Sequence, residues 1–243
     1  MKPFLLLSIR AEPAAVGEEY DAFCRFLGVA PSDLHARQLA AEPLGELSLD
    51  DWSGILLGGG AFTVSDPEET KTDAQRRTED DLAVLLDQVV AADFPFLGAC
   101  YGIGTLGTHQ GGLVDTAYPE PVGPLWITVT DQGAKDPLFA GVPPRFAAYG
   151  GHKEALSQLP GHATLLATSE ACPVQAFRVG ENVYATQFHP ELDLPGVRTR
   201  IDVYSTYGYF DPSKAETLKD QAGQVAVDHP MALLANFARR YAR

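Results

Sequence analysis

The stretch Phe94-Pro95-Phe96-Leu97-Gly98-Ala99-Cys100-Tyr101-Gly102 decides how the rest of the chain is interpreted. Its first four residues form an apolar run of strand length, and glycines stand two positions before and two positions after Cys100. A nucleophile between such glycines, directly after a strand, is typical of a nucleophile elbow. The helix that follows presents a partially positive N-terminus to the sulfur and favours the thiolate. The pattern predicts a parallel sheet with Cys100 as candidate nucleophile at its carboxyl edge.

Strand and helix patterns alternate along the N-terminal part of the chain. The apolar runs Phe4–Ile9 and Gly54–Leu57 predict buried strands. Apolar residues at helical spacing predict amphipathic helices over Glu18–Leu27 and Gln75–Val90. This alternation indicates an α/β fold with an open, mostly parallel sheet flanked by helices.

The middle of the chain changes character and predicts additional strands. These are Leu125–Thr130, Thr164–Thr168, Val174–Val179 and Val183–Phe188. The last two are separated by Gly180-Glu181-Asn182, which is typical of a hairpin turn, so antiparallel pairing is expected here.

No linker or internal repeat divides the sequence, which favours one domain over residues 1–243. Residues 192–243 are interpreted as a C-terminal helical extension that ends in an amphipathic helix, Met231–Tyr241. Within it, four side chains are interpreted as part of an exposed helix rather than a substrate lid: Arg198, Arg200, Tyr204 and Tyr207.

Composition excludes several classes of protein. The 243 residues carry 18 basic and 32 acidic side chains, a formal charge of −14, so the surface should repel nucleic acids. No apolar run reaches the ~18 residues of a membrane span, and Met1–Arg10 is predicted to be a buried strand rather than an export signal. Three cysteines without metal-ligand spacing indicate neither a disulfide framework nor a metal site, and favour the reducing cytoplasm.

A second motif, Gln187-Phe188-His189-Pro190-Glu191, follows another apolar strand. Proline disfavours the helical region for the residue before it, so His189 should be extended. Residues i and i+2 of an extended chain point to the same side, which puts Glu191 beside the imidazole. Glu191 can then hold the tautomer of His189 while the other ring nitrogen faces a thiol. The pattern predicts a triad of Cys100, His189 and Glu191.

The third motif is Gly58-Gly59-Gly60, after the strand Gly54–Leu57. A glycine-rich turn allows backbone N–H groups to approach a ligand closely. The N–H groups of Gly60 and Tyr101 are candidates for an oxyanion hole. The chain has neither the GxGxxG nor the GxxxxGK[ST] pattern at this turn, so a phosphate site is not indicated.

These three motifs, in this order, resemble the class I glutamine amidotransferases, and the stretch His152–Glu191 resembles stand-alone relatives of the glutaminase domain of GMP synthetase. The resemblance implies a flavodoxin-like fold and hydrolysis of the glutamine side-chain amide by a Cys-His-Glu triad, with no cofactor. It implies substrate-binding roles for three further residues: Gly59, Gly102 and Gln187.

Two departures limit the resemblance. Family elbows usually continue G-x-C-x-G-x-Q, but this chain has Gly104 in the glutamine position, so a polar substrate contact is missing unless Gln110 or another residue replaces it. The sequence also contains no P-loop pattern, and no ATP-dependent synthetase domain that would receive ammonia is expected within these 243 residues. Two residues resemble the family's H-x-D segment and are expected either to line the pocket or to lie in a surface loop: His152 and Glu154.

Three hypotheses remain open on the sequence. The first is a glutaminase subunit that delivers ammonia to a separate ATP-dependent synthetase subunit. The second is a stand-alone γ-glutamyl hydrolase or peptidase that acts on γ-glutamyl amides other than glutamine. The third is a non-catalytic regulatory relative, against which the presence of all three triad residue types argues.

Overall fold

The computed structural model describes residues 2–243. Eleven strands and six α-helices follow one another along the chain. The strands are β1 (Phe4–Ser8), β2 (Leu34–Gln38), β3 (Gly54–Leu57), β4 (Phe96–Ala99), β5 (Leu113–Asp115), β6 (Glu120–Val129), β7 (Arg145–His152), β8 (Ala155–Gln158), β9 (Thr164–Ser169), β10 (Ala176–Val179) and β11 (Val183–Thr186). The helices are α1 (Pro13–Leu27), α2 (Asp73–Ala91), α3 (Tyr101–His109), α4 (Leu194–Val203), α5 (Ala215–Ala222) and α6 (Met231–Tyr241).

Nine strands form one mixed sheet in the order β2-β1-β3-β4-β11-β10-β9-β6-β7, and β5 pairs with β8 separately. The first five strands of the large sheet are parallel, and the remaining pairs are antiparallel. The expected α/β fold with additional antiparallel strands is therefore confirmed. The predicted hairpin is present, with β10 and β11 joined around Gly180.

Alternating side chains of the parallel strands build a core on each face of the sheet, because successive residues of a strand point to opposite faces. Leu5 and Leu7 of β1 pack with α2 and α3, whereas Phe4 and Leu6 pack with α1 and α6. Both faces are covered by helices, which is why these strands are apolar throughout rather than alternating.

The sequence analysis did not predict four strands, β2, β5, β7 and β8, and for β2 and β7 the physical reason is clear. β2 lies at the sheet edge, and of its residues Leu34–Gln38 only Leu34 is buried, so it has no apolar run. The last three residues of β7 are Gly150, Gly151 and His152, and glycine usually weakens the sequence pattern of a strand. In the fold, a side chain at Gly150 would collide with Leu125 of β6, so this glycine allows close packing between neighbouring strands.

The C-terminal residues serve two parts of the molecule. Helix α6 completes the core beside β1, with Phe237 against Phe4. Helices α4 and α5 form a third apolar cluster with β7, in which Val197 and Ile201 pack near Tyr149. Among residues 2–243, no helix is both long and apolar enough to span a membrane.

The carboxyl ends of the parallel strands gather the sequence motifs at one edge. Arg10 follows β1, Gly58 follows β3, Cys100 follows β4 and His189 follows β11. Sites of open α/β sheets form at this edge, because the loops that leave adjacent parallel strands meet there.

Candidate active site

Cys100 occupies a strained turn between β4 and α3. Its φ of 55° and ψ of −92° lie in a region that residues other than glycine rarely adopt. The Cys100 N–H donates to the carbonyl of Thr186 at 2.8 Å, which ties the turn to the end of β11. A Cβ on Gly98 would lie 2.9 Å from the Cα of Gly102, so the turn requires glycine at Gly98. Gly102 itself packs near Leu57 and lines neither of the cavities beside Cys100.

His189 is held beside Cys100 by backbone and side-chain bonds. Its N–H donates to the carbonyl of Tyr149 in β7 at 2.9 Å, which makes an isolated antiparallel bridge. Its Nδ1 lies 2.7 Å from Oε1 of Glu191, a fully buried carboxylate. The other ring nitrogen is thereby left for the thiol. The structure thus brings the predicted triad residues together, and His189 and Glu191 have the relative orientation that the sequence His189-Pro190-Glu191 predicts.

The electrostatics of this group favour an imidazolium. Burial opposes the charged form of His189, but the charges of Glu191 and Cys100 outweigh it and raise the pKa of His189 to about 10. Burial likewise opposes ionisation of Glu191, yet His189, Arg10 and Arg200 hold its pKa below the usual range. An imidazolium next to a thiol stabilises the thiolate, the nucleophilic form of cysteine.

Arg10 and Glu19 lie beneath the site and were not singled out from the sequence. The Arg10 Nε donates to Oε1 of Glu19 at 2.7 Å, and its Nη1 donates to the Tyr204 hydroxyl at 2.9 Å. Ser8 donates to the other Glu19 oxygen at 2.6 Å. A signal was available: Glu19 is four residues before Phe23, which puts an acid on the buried face of α1. A buried acid usually has a paired cation.

The glycine loop after β3 closely approaches the triad. A Cβ on Gly59 would lie 2.6 Å from Cε1 of His189 and 3.1 Å from Cβ of Cys100, so only glycine fits there. Gly60 lines the space beside Cys100, and its carbonyl accepts a hydrogen bond from Tyr209 at 3.2 Å. Tyr101 is the first residue of α3, and an N–H at that position has no partner within its own helix.

One small cavity, of about 20 Å³, joins Cys100 to Gly104 and is called the Gly104 cavity below. Glu154 lines it and accepts the N–H groups of Val64 and Ser65 at 2.8 and 2.7 Å. A Cβ on Gly104 would lie 3.2 Å from Val64 and 3.4 Å from Oε1 of Glu154, so these side chains crowd the position of the usual family glutamine. His152 lines the same cavity, and the expectation of a pocket-lining segment therefore fits the structure better than a surface loop.

Gln110 does not supply the missing glutamine. It lies at the far end of α3, where its side chain bonds to His109 at 2.8 Å and to His162 at 2.9 Å. The length of the helix separates it from Cys100, which eliminates Gln110 but not another residue as the replacement. Gln187, by contrast, lines the Gly104 cavity, and its buried Oε1 has no hydrogen-bond partner among residues 2–243.

A second cavity, of about 50 Å³, adjoins both Cys100 and His189 and is called the His189 cavity below. Arg200, Tyr204 and Tyr209 line it. Arg200 is only 6 % exposed and Tyr204 only 7 %, so the interpretation of these two residues as an exposed helix is wrong. Tertiary contacts with Arg10 and α1 bury them, and the sequence of one helix does not reveal such contacts.

A separate cluster of polar side chains lies away from Cys100. Side-chain ligand atoms of Glu120, His152 and Cys172 lie within 4.8 Å of one another and are buried. These groups already have partners: His152 bonds to Oε2 of Glu120 at 2.9 Å and to the carbonyl of Glu154 at 2.8 Å. Burial raises the pKa of the Cys172 thiol to about 12. The cluster therefore functions as a hydrogen-bond network that fixes the segment carrying Glu154.

Comparison with known proteins agrees with the motifs. A sequence model of the class I glutamine amidotransferases matches residues 30–199. The chain is 30% identical over 151 residues to one of the subunits of the glutamine-hydrolyzing GMP synthase of Methanothermobacter thermautotrophicus, a match that covers 62% of this chain and 71% of that protein. It is 31% identical over 162 residues to the glutamine-hydrolyzing GMP synthase of Bacillus velezensis, but spans only 28% of that longer protein.

The fold has a solved counterpart. A crystal structure of a glutamine amidotransferase from Thermotoga maritima superposes with a TM-score of 0.73 and 20% sequence identity, covering 99% of this chain and 98% of that chain. At this identity the similarity concerns the fold. The sequence match covers most of the chain and includes Cys100, His189 and Glu191. The chain therefore belongs to the class I glutamine amidotransferase family.

Proposed function

We propose that the protein hydrolyses the side-chain amide of glutamine, or of a related γ-glutamyl amide, with Cys100 as nucleophile. The observation that carries this proposal is the buried His189–Glu191 pair, 2.7 Å apart, beside a cysteine on a strained turn. Strained backbone persists at functional sites because the surrounding structure enforces it. Nothing in the packing of the sheet requires a reactive side chain at this turn.

The reaction has two steps. The Cys100 thiolate attacks the amide carbonyl carbon, and the His189 imidazolium gives its proton to the departing nitrogen as the carbon–nitrogen bond breaks. The product is a γ-glutamyl thioester and a free amine, which is ammonia when the substrate is glutamine. His189 then removes a proton from water, whose oxygen attacks the thioester carbon; the carbon–sulfur bond breaks, which releases glutamate and restores the Cys100 thiolate beside the His189 imidazolium. Glu191 keeps His189 oriented and stabilises its charge in both steps.

The N–H groups of Gly60 and Tyr101 are proposed to bind the oxyanion. Both belong to loops that follow adjacent strands, β3 and β4, so the fold keeps them rigid relative to Cys100. Rigid donors of this kind contribute about 3 kcal/mol each to the stability of the transition state. Substrate contacts are proposed for Gly59, which closely approaches His189 and Cys100, and for Gln187, which lines the Gly104 cavity and whose buried Oε1 has no hydrogen-bond partner among residues 2–243. Gly102 is proposed to act indirectly, because its close approach to Gly98 permits the tight turn at Cys100.

We propose that residues 1–243 act as one domain. A separate ATP-dependent synthetase subunit is the proposed ammonia acceptor, since the Methanothermobacter relative is itself named as a subunit of a GMP synthase. The reducing cytoplasm suits the three free cysteines. The γ-glutamyl hydrolase remains the second candidate, because the His189 cavity offers space beside the leaving nitrogen that ammonia does not need.

The test is release of glutamate from glutamine by the purified chain and by Cys100→Ser. We expect measurable glutamate release that falls at least ~1,000-fold in the variant, since removal of a nucleophile costs about this much or more. Activity that rises when a synthetase co-purifies supports the subunit role. Faster cleavage of N-substituted γ-glutamyl amides than of glutamine supports the hydrolase. Activity that survives in Cys100→Ser contradicts both.

A further inference from the structure

The His189 cavity is where the second nucleophile of the proposed reaction acts. His189 lines this cavity and not the Gly104 cavity. In the proposed reaction the same imidazole gives a proton to the leaving nitrogen and then takes one from water, so the water must enter the position that the amine has left. The volume of about 50 Å³ has room for it, since one water requires about 10–15 Å³. A group that fixes this water must therefore face the His189 cavity.

Arg10 presents a free nitrogen to this cavity. It lines the cavity and is only 3 % exposed. Its Nε donates to Glu19 at 2.7 Å and its Nη1 to the Tyr204 hydroxyl at 2.9 Å, whereas Nη2 has no hydrogen-bond partner among residues 2–243. Unlike Nε and Nη2 of Arg200, which are unpartnered and fully buried, Nη2 of Arg10 retains accessible surface. A small molecule in the cavity can therefore reach it.

Nη2 of Arg10 lies next to the reacting side chains. A Cβ on Gly59 would lie 2.6 Å from Cε1 of His189 and 3.1 Å from Cβ of Cys100. The same point lies 3.4 Å from Nη2 of Arg10, so the nitrogen, the imidazole and the cysteine surround one place on the glycine loop. The ligand of this nitrogen is therefore a group at the reacting bond rather than the far end of a substrate.

The direction of Nη2 is fixed by a chain of hydrogen bonds. Ser8 donates to the second oxygen of Glu19 at 2.6 Å, and the Tyr204 hydroxyl donates to Glu12 at 3.1 Å. Both partners of Arg10 are thus themselves held. Because the guanidinium is planar, binding of Nε and Nη1 also orients Nη2. A donor that is oriented in advance requires no reorganisation during the reaction.

We propose that Nη2 of Arg10 binds the water that hydrolyses the γ-glutamyl thioester, which makes Arg10 a further catalytic residue. This inference rests on the proposed function and concerns its second step. Nη2 donates to one lone pair of the water oxygen, and the cation stabilises the negative charge that develops there as neutral His189 takes a proton.

The other lone pair of the water oxygen attacks the thioester carbon, and the carbon–sulfur bond breaks with its electron pair on sulfur. The products are the Cys100 thiolate, the His189 imidazolium and glutamate, whose new carboxyl group carries the second water proton until it ionises. Arg10 stays protonated throughout, so it positions and stabilises the water without exchanging a proton.

The experiment lets hydroxylamine compete with water for the thioester formed from glutamine. Hydroxylamine attacks with its nitrogen lone pair and does not have to lose a proton first. Both products come from the same thioester, so the ratio of γ-glutamylhydroxamate to glutamate reports on the second step, whichever step limits turnover. Arg10→Lys keeps a cation beside Glu19 but has no Nη2. We expect it to raise the ratio at least ~10-fold at fixed concentrations of glutamine and hydroxylamine.

The matched control is Arg178→Lys. Arg178 lies in β10, and its Nε likewise donates to a carboxylate, that of Asp136, at 2.9 Å. It lines neither cavity beside Cys100, so this variant should keep the wild-type ratio. If thermal unfolding shows that Arg10→Lys does not fold, Arg10→Gln combined with Glu19→Gln provides the test, because it leaves no buried charge without its partner. Only folded molecules form either product, so the ratio does not depend on the folded fraction.

An unchanged ratio in the Arg10 variants overturns the inference and leaves the proposed function intact. Loss of both products in a folded Arg10 variant also overturns it, because Arg10 then acts in the formation of the thioester. Wild-type protein that forms neither glutamate nor γ-glutamylhydroxamate from glutamine overturns the proposed function together with the inference, so the two failures are distinguishable.

Discussion

Nδ1 of His189 lies 2.7 Å from Oε1 of Glu191, two residues further along the chain, and the carboxylate has no solvent exposure. A buried carboxylate is stable only when it has a charged or hydrogen-bonding partner, so Glu191 and His189 depend on each other. The Glu191 carboxylate orients the imidazole of His189 and raises its pKa. Both effects favour a cysteine nucleophile beside the imidazole. Changes to either residue should therefore alter both catalysis and stability.

Glu191→Gln should shift the alkaline limb of the pH–rate profile to lower pH. In the wild type, Glu191 and Cys100 oppose the effect of burial and raise the pKa of His189 to about 10, so the imidazolium is lost only as pH rises through that value. Without the carboxylate, the charged form is less stable and its pKa falls. We expect kcat/KM to drop at least ~100-fold at neutral pH, as for other triads that lose their acid. Asp87→Asn, next to His109 on the outer side of α3, is the control and should leave the profile unchanged.

The same pKa shift predicts a pH dependence of folding stability. A histidine whose pKa is raised in the folded state stabilises the protein fully below its unfolded pKa, about 6.5. This contribution is lost as pH rises toward about 10. The free energy of unfolding, measured with urea, should therefore decrease over this range by more in the wild type than in His189→Gln. An equal decrease in the two proteins would refute the assigned shift.

Cys100→Gly should stabilise the fold while it abolishes activity. The φ of 55° at Cys100 is strained for a residue with a side chain but not for glycine. We expect the free energy of unfolding to rise by about 1 kcal/mol. Cys100→Ala keeps the strain and should leave stability close to that of the wild type. The prediction fails if the two variants unfold at the same urea concentration.

Gly59→Ala should lower activity sharply. The new methyl group would lie 2.6 Å from Cε1 of His189 and would displace the imidazole from Cys100. We expect kcat/KM to fall at least ~100-fold, with a loss of stability of about 1–3 kcal/mol from overpacking. Gly17→Ala is the control, because a Cβ there meets nothing within 4 Å in helix α1. It should raise stability by about 0.5–1 kcal/mol and leave activity unchanged.

The sequence predicted the parts of the molecule that depend on local geometry. The elbow around Cys100 follows from the steric requirement for glycine on both sides of it. The pairing of His189 with Glu191 follows from the extended backbone before Pro190. Each feature depends on only a few neighbouring residues. The strand Gly54–Leu57 and the helix Met231–Tyr241 agree with the structure because each has a strong apolar pattern.

The parts that the sequence did not predict depend on tertiary contacts. Arg200 and Tyr204 have polar side chains, and only packing against Arg10 and α1 buries them. The sequence left Gln110 open as a replacement for the missing glutamine. In the structure, Gln110 lies at the end of α3 that is remote from Cys100. Tyr209 lies over the site in a segment with no local motif, and its contact with Gly60 joins residues far apart in the chain.

The most direct test of the account is intact-mass spectrometry after incubation with a glutamine-mimicking diazo-ketone. An activated Cys100 in a glutamyl-shaped site should give one adduct, which disappears in Cys100→Ser. The adduct should persist in Cys24→Ser, because burial raises the pKa of the Cys24 thiol and disfavours its thiolate. Absence of an adduct on Cys100, while a small general alkylating reagent still modifies it, would contradict the claim that this site binds a γ-glutamyl group.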